Sequence, residues 1–491
     1  MSLVRLSERK QGRKPFGAEE LRLVYEALRS QHLGGTNGRM VTEFESAFAA
    51  AYGVPYAVAS SSGTAAIHVA LGALDLNPGD EIITAPITDM GTIIPILYQN
   101  SIPVFADVDE TYSMDPHDVE RKITTRTRAI IAVHLFGNPC DMDAMVEIAR
   151  RHRLALIEDC SQAHLTPYKG KLVGTIGDIG CFSFQQSKPM TTGEGGMTIT
   201  WNKAFHDRMK LFADKGFARK GWGPRSYLFH APNYRITELV AAVGLAQLDK
   251  VQRVVRKRSE LGRYMTERLT GLDGAMPAPV TPGADHSYWL YPIRVVDQDP
   301  HDLAAALREA KIPSLPGYTG EPIYLCSESL RSKKTYGDSH YPFTIRDPAE
   351  TYEYGEGLCP NAERLLDQLL CIPWDESWTY QEVDRVVDVL KQSLSRPTAF
   401  PSVAPVRTAQ SQPAIASRSS SPRQRVAIIG CGRIGQWHLK AYRHHPAAEV
   451  VAVADVDFDR ARVMAGEVGA RAYRSHTEML AAETLGAASV C

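Results

Sequence analysis

From residue 56 onward, short apolar runs alternate with stretches of helical periodicity, and this alternation restricts the chain to few folds. The pattern predicts a strand over 56–59, a turn over 60–64 and a helix over 65–74. Pro78-Gly79-Asp80 then turns the chain into a strand over 81–85, followed by a short helix over 91–99 and a strand over 103–107. A buried run, AIIAVHLF at 129–136, a helix over 142–152 and a strand over 154–157 continue the series. Strands alternating with helices predict an α/β fold with a mostly parallel central sheet. Ligands gather at the carboxyl ends of such strands.

The stretch CFSFQQSKPMTTGEGGM at 181–197 falls where such a site belongs. An apolar strand end, Cys181 to Phe184, precedes a lone lysine, Lys188, in a polar turn. Gly193, Gly195 and Gly196 then form a tight turn into a second short strand over 197–200. Glycines let a backbone turn sharply and approach a ligand closely. A lysine buried beside such a turn loses basicity, and a partly neutral amine is what carbonyl condensation requires. The alternative is a solvated lysine in a hairpin loop.

Three further segments accompany it. SSSGTAAIHVAL at 60–71 is a serine- and glycine-rich turn opening an apolar helix. Its Gly63 and Thr64 either present backbone N–H groups to an anion or simply begin a capped helix. IEDCSQAH at 157–164 places Glu158 and Asp159 at a strand end, where an aspartate either caps locally or serves a ligand. NYRITELVAAVGLAQL at 233–248 is a polar entry to a long helix.

Together, and in this order, these four motifs resemble the DegT/DnrJ/EryC1/StrS sugar aminotransferases over about residues 10–395. The resemblance implies a fold type I aminotransferase that binds pyridoxal 5'-phosphate. It has a large domain over 1–250 and a smaller C-terminal α+β subdomain over 251–395. Lys188 would carry the cofactor as a Schiff base and then shuttle the proton. Asp159 would hold a proton on the pyridine nitrogen, and Gln162 would sit by the ring. Gly63, Thr64 and Ser183 would bind the phosphate, although a buried strand serine also bonds to backbone. Asn233 would reach the phosphate of a neighbouring subunit, making a homodimer with shared sites. The implied reaction moves an amino group from glutamate or glutamine to a keto sugar, nucleotide-linked, or a keto cyclitol. A sugar dehydratase and a non-catalytic scaffold on the same fold remain alternatives; relatives that dehydrate replace the lysine with histidine, and Lys188 is present. One position departs from the family. PITDMGT places Asp89 where an aromatic residue usually stacks on the ring.

Elsewhere the reading is plainer. His134 in VHLFG lies either near the site or in the core. A helix is expected over 18–30, another over 41–52, one over 237–248 and a separate long bridging helix over 249–270. The loop 323–357 carries Tyr324, Tyr336, Tyr341, Tyr352 and Tyr354, which either line a substrate pocket or lie on the surface.

Lys+Arg 55 against Asp+Glu 56 leaves no electrostatic case for nucleic acid or a membrane surface. No apolar stretch approaches the ~18 residues of a spanning helix, and the basic start lacks the apolar core of a secretory signal. The eight cysteines have no paired ligand spacing, so they read as reduced thiols of a cytoplasmic protein, with no metal site.

Residues 396–424 contain no acid and are rich in Pro, Ser and Ala, the composition of a disordered linker. RVAIIGCGRIGQWHL follows from Arg425: a strand, then Gly430, Gly432 and Gly435 opening a helix, with Asp455 roughly 20 residues on at the end of the next strand. Strand, glycines, helix and spaced acid together predict a dinucleotide fold over 425–491, its glycines admitting a pyrophosphate and Asp455 accepting from ribose hydroxyls. It resembles the start of the Gfo/Idh/MocA oxidoreductases. The sequence ends in an expected fourth strand, without that family's catalytic lysine motif or substrate domain. A partial Rossmann fold with doubtful NAD(P) binding and no hydride transfer is therefore expected.

Overall fold

The computed structural model describes residues 16–490 except 37, 220–223, 297, 346–351, 396–423, 433–434, 436–437, 440–441 and 444–447. The chain divides into two compact units, Met1–Phe400 and Pro401–Cys491. The expected linker over 396–424 lies outside the described residues, except for Gln424.

The first unit opens with helices α1 (Ala18–Arg29) and α2 (Arg39–Tyr52), the latter ended by Gly53 in the left-handed conformation. The α/β alternation follows: β1 (Tyr56–Ser60), α3 (Gly63–Ala73), β2 (Glu81–Thr84), α4 (Met90–Tyr98), β3 (Ile102–Phe105), α5 (Pro116–Arg121), β4 (Thr127–Val133), α6 (Met142–His152) and β5 (Ala155–Asp159). A small hairpin, β6 (Pro167–Tyr168) and β7 (Lys171–Leu172), precedes β8 (Ile179–Ser183) and β9 (Gly196–Thr200). The seven-stranded sheet has the order β1-β9-β8-β5-β4-β2-β3. Strands β3, β2, β4, β5 and β8 pair in parallel, and β9 runs antiparallel between β8 and β1.

Both faces of this sheet are covered, which is why its strands are apolar throughout rather than alternating. Along β8 the side chains still divide by face: Phe182 joins Phe44, Phe48 and Tyr52 of α2, whereas Ile179 and Cys181 join Ile67, Ala70 and Leu71 of α3. The parallel strands all end on one side, and the turns after β1, β2, β5 and β8 converge there.

After α7 (Lys203–Phe212), a single 32-residue helix, α8 (Glu238–Leu269), replaces the two helices expected over 237–248 and 249–270. No proline interrupts it, and Lys250 pairs with Glu20 of α1. The helix leads to four further strands, β10 (Ala275–Pro277), β11 (Leu290–Val295), β12 (Leu315–Pro316) and β13 (Leu369–Pro373). They form an antiparallel sheet of order β10-β11-β13-β12. Helices over Pro300–Glu309 and Tyr380–Leu394 pack on it around Ile293, Leu307, Trp374 and Val387.

The second unit is a four-stranded parallel sheet. Numbered in chain order, its strands are Gln424–Ile429, Ala448–Ala454, Arg471–Tyr473 and Ala487–Val490, arranged 3-2-1-4. That is the order of the first half of a dinucleotide-binding fold.

Candidate active site

The converging turns enclose a cavity of about 340 Å³. Six residues singled out from the sequence line it: Gly63, Thr64, Asp159, Gln162, Ser183 and Lys188. They come from three turns far apart in the chain, brought together because β1, β5 and β8 belong to one sheet.

The first turn is the N-terminus of α3. Ser62 caps it by accepting from the Ala65 N–H at 3.0 Å. The N–H groups of Gly63 and Thr64 have no partner among the described residues, so two donors and the positive end of the helix dipole face the cavity. A Cβ on Gly63 would sit 2.6 Å from Cβ of Ser183, so only glycine lets this helix end come so close to the end of β8. Two N–H groups and the Ser183 hydroxyl thus form a cradle suited to a phosphate.

The second turn carries Asp159, which is 5% exposed. Its carboxylate accepts from the Thr92 hydroxyl at 2.9 Å and from the Ser161 N–H at 3.1 Å. Thr92 is in turn paired with Thr88 at 2.8 Å. The carboxylate is therefore oriented by two donors without being neutralised by a cation. Gln162 is held at both ends: its oxygen accepts from the Phe136 N–H at 2.6 Å and its amide donates to the Tyr318 hydroxyl at 3.1 Å.

The third turn carries Lys188. Its backbone N–H donates to the Gln185 carbonyl at 2.9 Å, and the following loop folds back onto the end of β8 through Thr191 and Thr192, which both donate to the Phe184 carbonyl. The ammonium lies over the indole of Trp289, 4.0 Å from the ring centroid. The Trp289 N–H donates to the Ser187 carbonyl at 3.0 Å, locking the two segments together. Burial lowers the Lys188 pKa from 10.5 to about 8, against the opposing pull of Asp159 and Asp89. The amine is thus partly neutral near physiological pH.

Sequence reasoning missed Thr88, Thr92, Glu194, Trp289 and Tyr318, which also line the cavity. The spacing of Thr88 and Thr92, four apart at a helix start, was a weak signal. Nothing local marked Trp289 or Tyr318. The tyrosines of 323–357 are absent from the lining residues: Tyr324 and Tyr354 are core, and Tyr336 and Tyr341 are exposed. Asn233 does not line the cavity either; it is exposed in a strap where its backbone bridges to Asp214.

His134 is a core residue. It is fully buried, its Nδ1 accepts from the Cys140 N–H at 3.1 Å, and its Nε2–H donates to Glu158 at 3.0 Å. Glu158 also accepts from the N–H groups of Gly174, Ile176 and Gly177 at 2.7–2.8 Å. It ties the turn before β8 to β5, so β5, which ends at Asp159, and β8, which leads into the Lys188 turn, keep their register.

In the second unit, Gly430 and Asp455 stand at adjacent strand ends. Gly430 has φ +97°, its N–H donates to the Ala454 carbonyl, and Asp455 accepts from the N–H groups of Cys431 and Asp457. A Cβ on Gly435 would meet the Gly430 carbonyl at 2.0 Å, so glycine allows the helix to start against the strand. Around Gly432, by contrast, there is open space. Arg433 and Ile434 of this loop lie outside the described residues.

Comparison with known proteins agrees with this architecture. The profile of the DegT/DnrJ/EryC1/StrS aminotransferase family matches residues 15–327, and that of the oxidoreductase family's NAD-binding Rossmann fold matches residues 424–491. The GDP-perosamine synthase of Escherichia coli O157:H7 is 39% identical over 56% of this chain and 74% of its own. A putative L-glutamine:3-amino-2,3-dideoxy-scyllo-inosose aminotransferase of Micromonospora echinospora is 39% identical over 54% of this chain and 64% of its own. Among solved structures, the aminotransferase from Psychrobacter cryohalolentis aligns with a TM-score of 0.68 at 28% identity, covering 78% of this chain and 99% of that one.

The chain belongs to the DegT/DnrJ/EryC1/StrS aminotransferase family, enzymes that use pyridoxal phosphate to aminate sugars. The cavity fits that cofactor on its own chemistry. It offers an anion cradle at one end, an oriented carboxylate at another, and an amine of lowered basicity between aromatic walls.

Proposed function

We propose that this chain transfers an amino group from glutamate or glutamine to a keto sugar, nucleotide-linked, or to a keto cyclitol. The observation that carries the reading is the pairing of Lys188, made less basic by burial, with Asp159, oriented by Thr92 and Ser161, in one cavity. The relatives named for a GDP-sugar product and for an amino-cyclitol acceptor support the two acceptor classes, and the second supports glutamine as donor.

When bound, pyridoxal phosphate supplies an electron sink conjugated to the reacting carbon. Gly63, Thr64 and Ser183 would hold its phosphate, and Asp159 would keep a proton on its ring nitrogen. Gln162, fixed by Phe136 and Tyr318, would define the edge of the ring's berth. Lys188 Nζ would anchor the cofactor, then take a proton from the donor's α-carbon and return one to the acceptor's new C–N carbon. Trp289 and Tyr318 supply aromatic walls, with the Trp289 indole directly against that amine.

Within this reading the enzyme is a homodimer with shared sites. Asn233, which does not line its own cavity, would serve the phosphate of the neighbouring subunit. No helix among the described residues is long and apolar enough to cross a membrane. The seven described cysteines are free thiols, which suits a reducing cytoplasm.

The test is spectroscopic. Protein loaded with pyridoxal phosphate should show the long-wavelength absorbance of lysine-bound cofactor, fixed onto Lys188 by borohydride. L-glutamate or L-glutamine should convert it to the pyridoxamine form, and Lys188→Ala should abolish both signals. A cofactor left unconverted by every amino donor overturns transamination.

A further inference from the structure

Asp89 occupies an unusual place in this cavity. It caps α4, with one carboxylate oxygen accepting from the Gly91 N–H at 2.7 Å. That bond fixes the side chain at the cavity wall, where it is exposed. Its second oxygen has no hydrogen-bond or ion-pair partner among the described residues. The residues lining the cavity carry three carboxylates, Asp89, Asp159 and Glu194, against one ammonium, Lys188. Asp159 is held by Thr92 and Ser161 on the cofactor side, and Glu194 stands on the exposed rim. Asp89 is therefore the anchored acid with a free oxygen beside the reacting amine.

In a cavity lined by three acids and one ammonium, that free oxygen is satisfied most strongly by a substrate that brings a cation to it. The amino donor is the poorer candidate. Its ammonium is the group that reacts, and its carboxylates are repelled by Asp89. The acceptor is the remaining partner.

We infer that Asp89 is a specificity-determining residue that reads an ammonium group on the acceptor, so that the preferred acceptor is a ketone of a sugar or cyclitol already bearing an amine. The inference rests on the aminotransferase reading and narrows its acceptor. A charge-assisted hydrogen bond of this kind corresponds to roughly ten- to hundredfold in kcat/KM.

The experiment uses the full chain loaded with pyridoxal phosphate, L-glutamine or L-glutamate as donor, and two keto cyclitols that differ only in an amino or a hydroxyl group at one ring carbon. Wild type should prefer the amino acceptor by roughly ten- to hundredfold, and rising salt should erode the preference. Asp89→Asn keeps the helix cap through its side-chain carbonyl and should bring the two acceptors level, chiefly through KM for the amino compound. Asp89→Glu should retain part of the preference. Taking the ratio of the two acceptors cancels any effect on Lys188 common to both. A wild type without the preference, or an Asp89→Asn protein that keeps it, overturns the inference while the donor half-reaction still supports transamination. A wild type whose cofactor no donor converts overturns the underlying reading as well.

Discussion

The basicity of Lys188 can be measured without any substrate. In a solvated lysine the amine titrates near 10.5, and here burial brings it to about 8. At pH 7.5 the neutral share is then about one in four instead of about one in a thousand, a gain of roughly two-hundredfold. Asp159 opposes that shift, since its negative charge favours the ammonium. Replacing it in Asp159→Asn should therefore move the midpoint down, by about one pH unit for a charge lining the same small cavity. The neutral share at pH 7.5 would rise to about three in four. The variant should thus carry a more reactive lysine and yet turn over far more slowly if, as proposed, Asp159 supports the proton on the ring nitrogen. The assay is competitive acetylation of the cofactor-free chain across pH, read by mass spectrometry on the Lys188 peptide against the exposed Lys171. The midpoint is diagnostic, because intrinsic nucleophilicity falls with basicity and alters only the plateau. A wild-type midpoint above ~10, or one that fails to fall in Asp159→Asn, would refute the claim that burial and this carboxylate set the amine's basicity.

Other substitutions test the frame around the site. Glu158→Ala strands three backbone N–H groups and His134 in the core, and should cost about 3–5 kcal/mol in denaturant unfolding of the first unit; a change below ~0.5 kcal/mol would remove its structural role. Gly63→Ala forces a methyl to 2.6 Å from Cβ of Ser183. It should weaken pyridoxal phosphate binding in an absorbance titration at least ~10-fold, a loss of about 1.4 kcal/mol, while costing about 1–3 kcal/mol of stability. Gly435→Ala drives a methyl into the Gly430 carbonyl and should lower the melting temperature of the second unit, followed by hydrogen exchange of its first two strands.

The parts of the site visible in the sequence were those whose chemistry is local. Lys188 stands between a strand end and a glycine turn, Asp159 ends an apolar run, and Gly63 opens a helix; each pattern states a backbone geometry. Thr92, Trp289 and Tyr318 left no such trace. Thr92 matters because α4 lays its hydroxyl on a carboxylate 67 positions away, and Trp289 because the bend entering the antiparallel sheet sets its indole against Lys188, 101 positions away. The continuity of α8 left no local mark either: the charged residues that follow Leu248 suit a helix end as well as a helix side, and Lys250 pairs with Glu20 of α1.

The sequence by itself therefore determined the alternation of strands and helices, the parallel sheet and the family, since these follow from periodicity, turn residues and motif order. Only the tertiary structure decided which groups share one cavity, that Lys188 lies partly buried beneath an indole, that His134 belongs to the core, and that Asp89 faces the cavity with an oxygen unpaired. The reason is physical: backbone preferences act over a few residues. Desolvation and charge depend on what packs nearby, and in this fold the neighbours come from turns far apart in the chain.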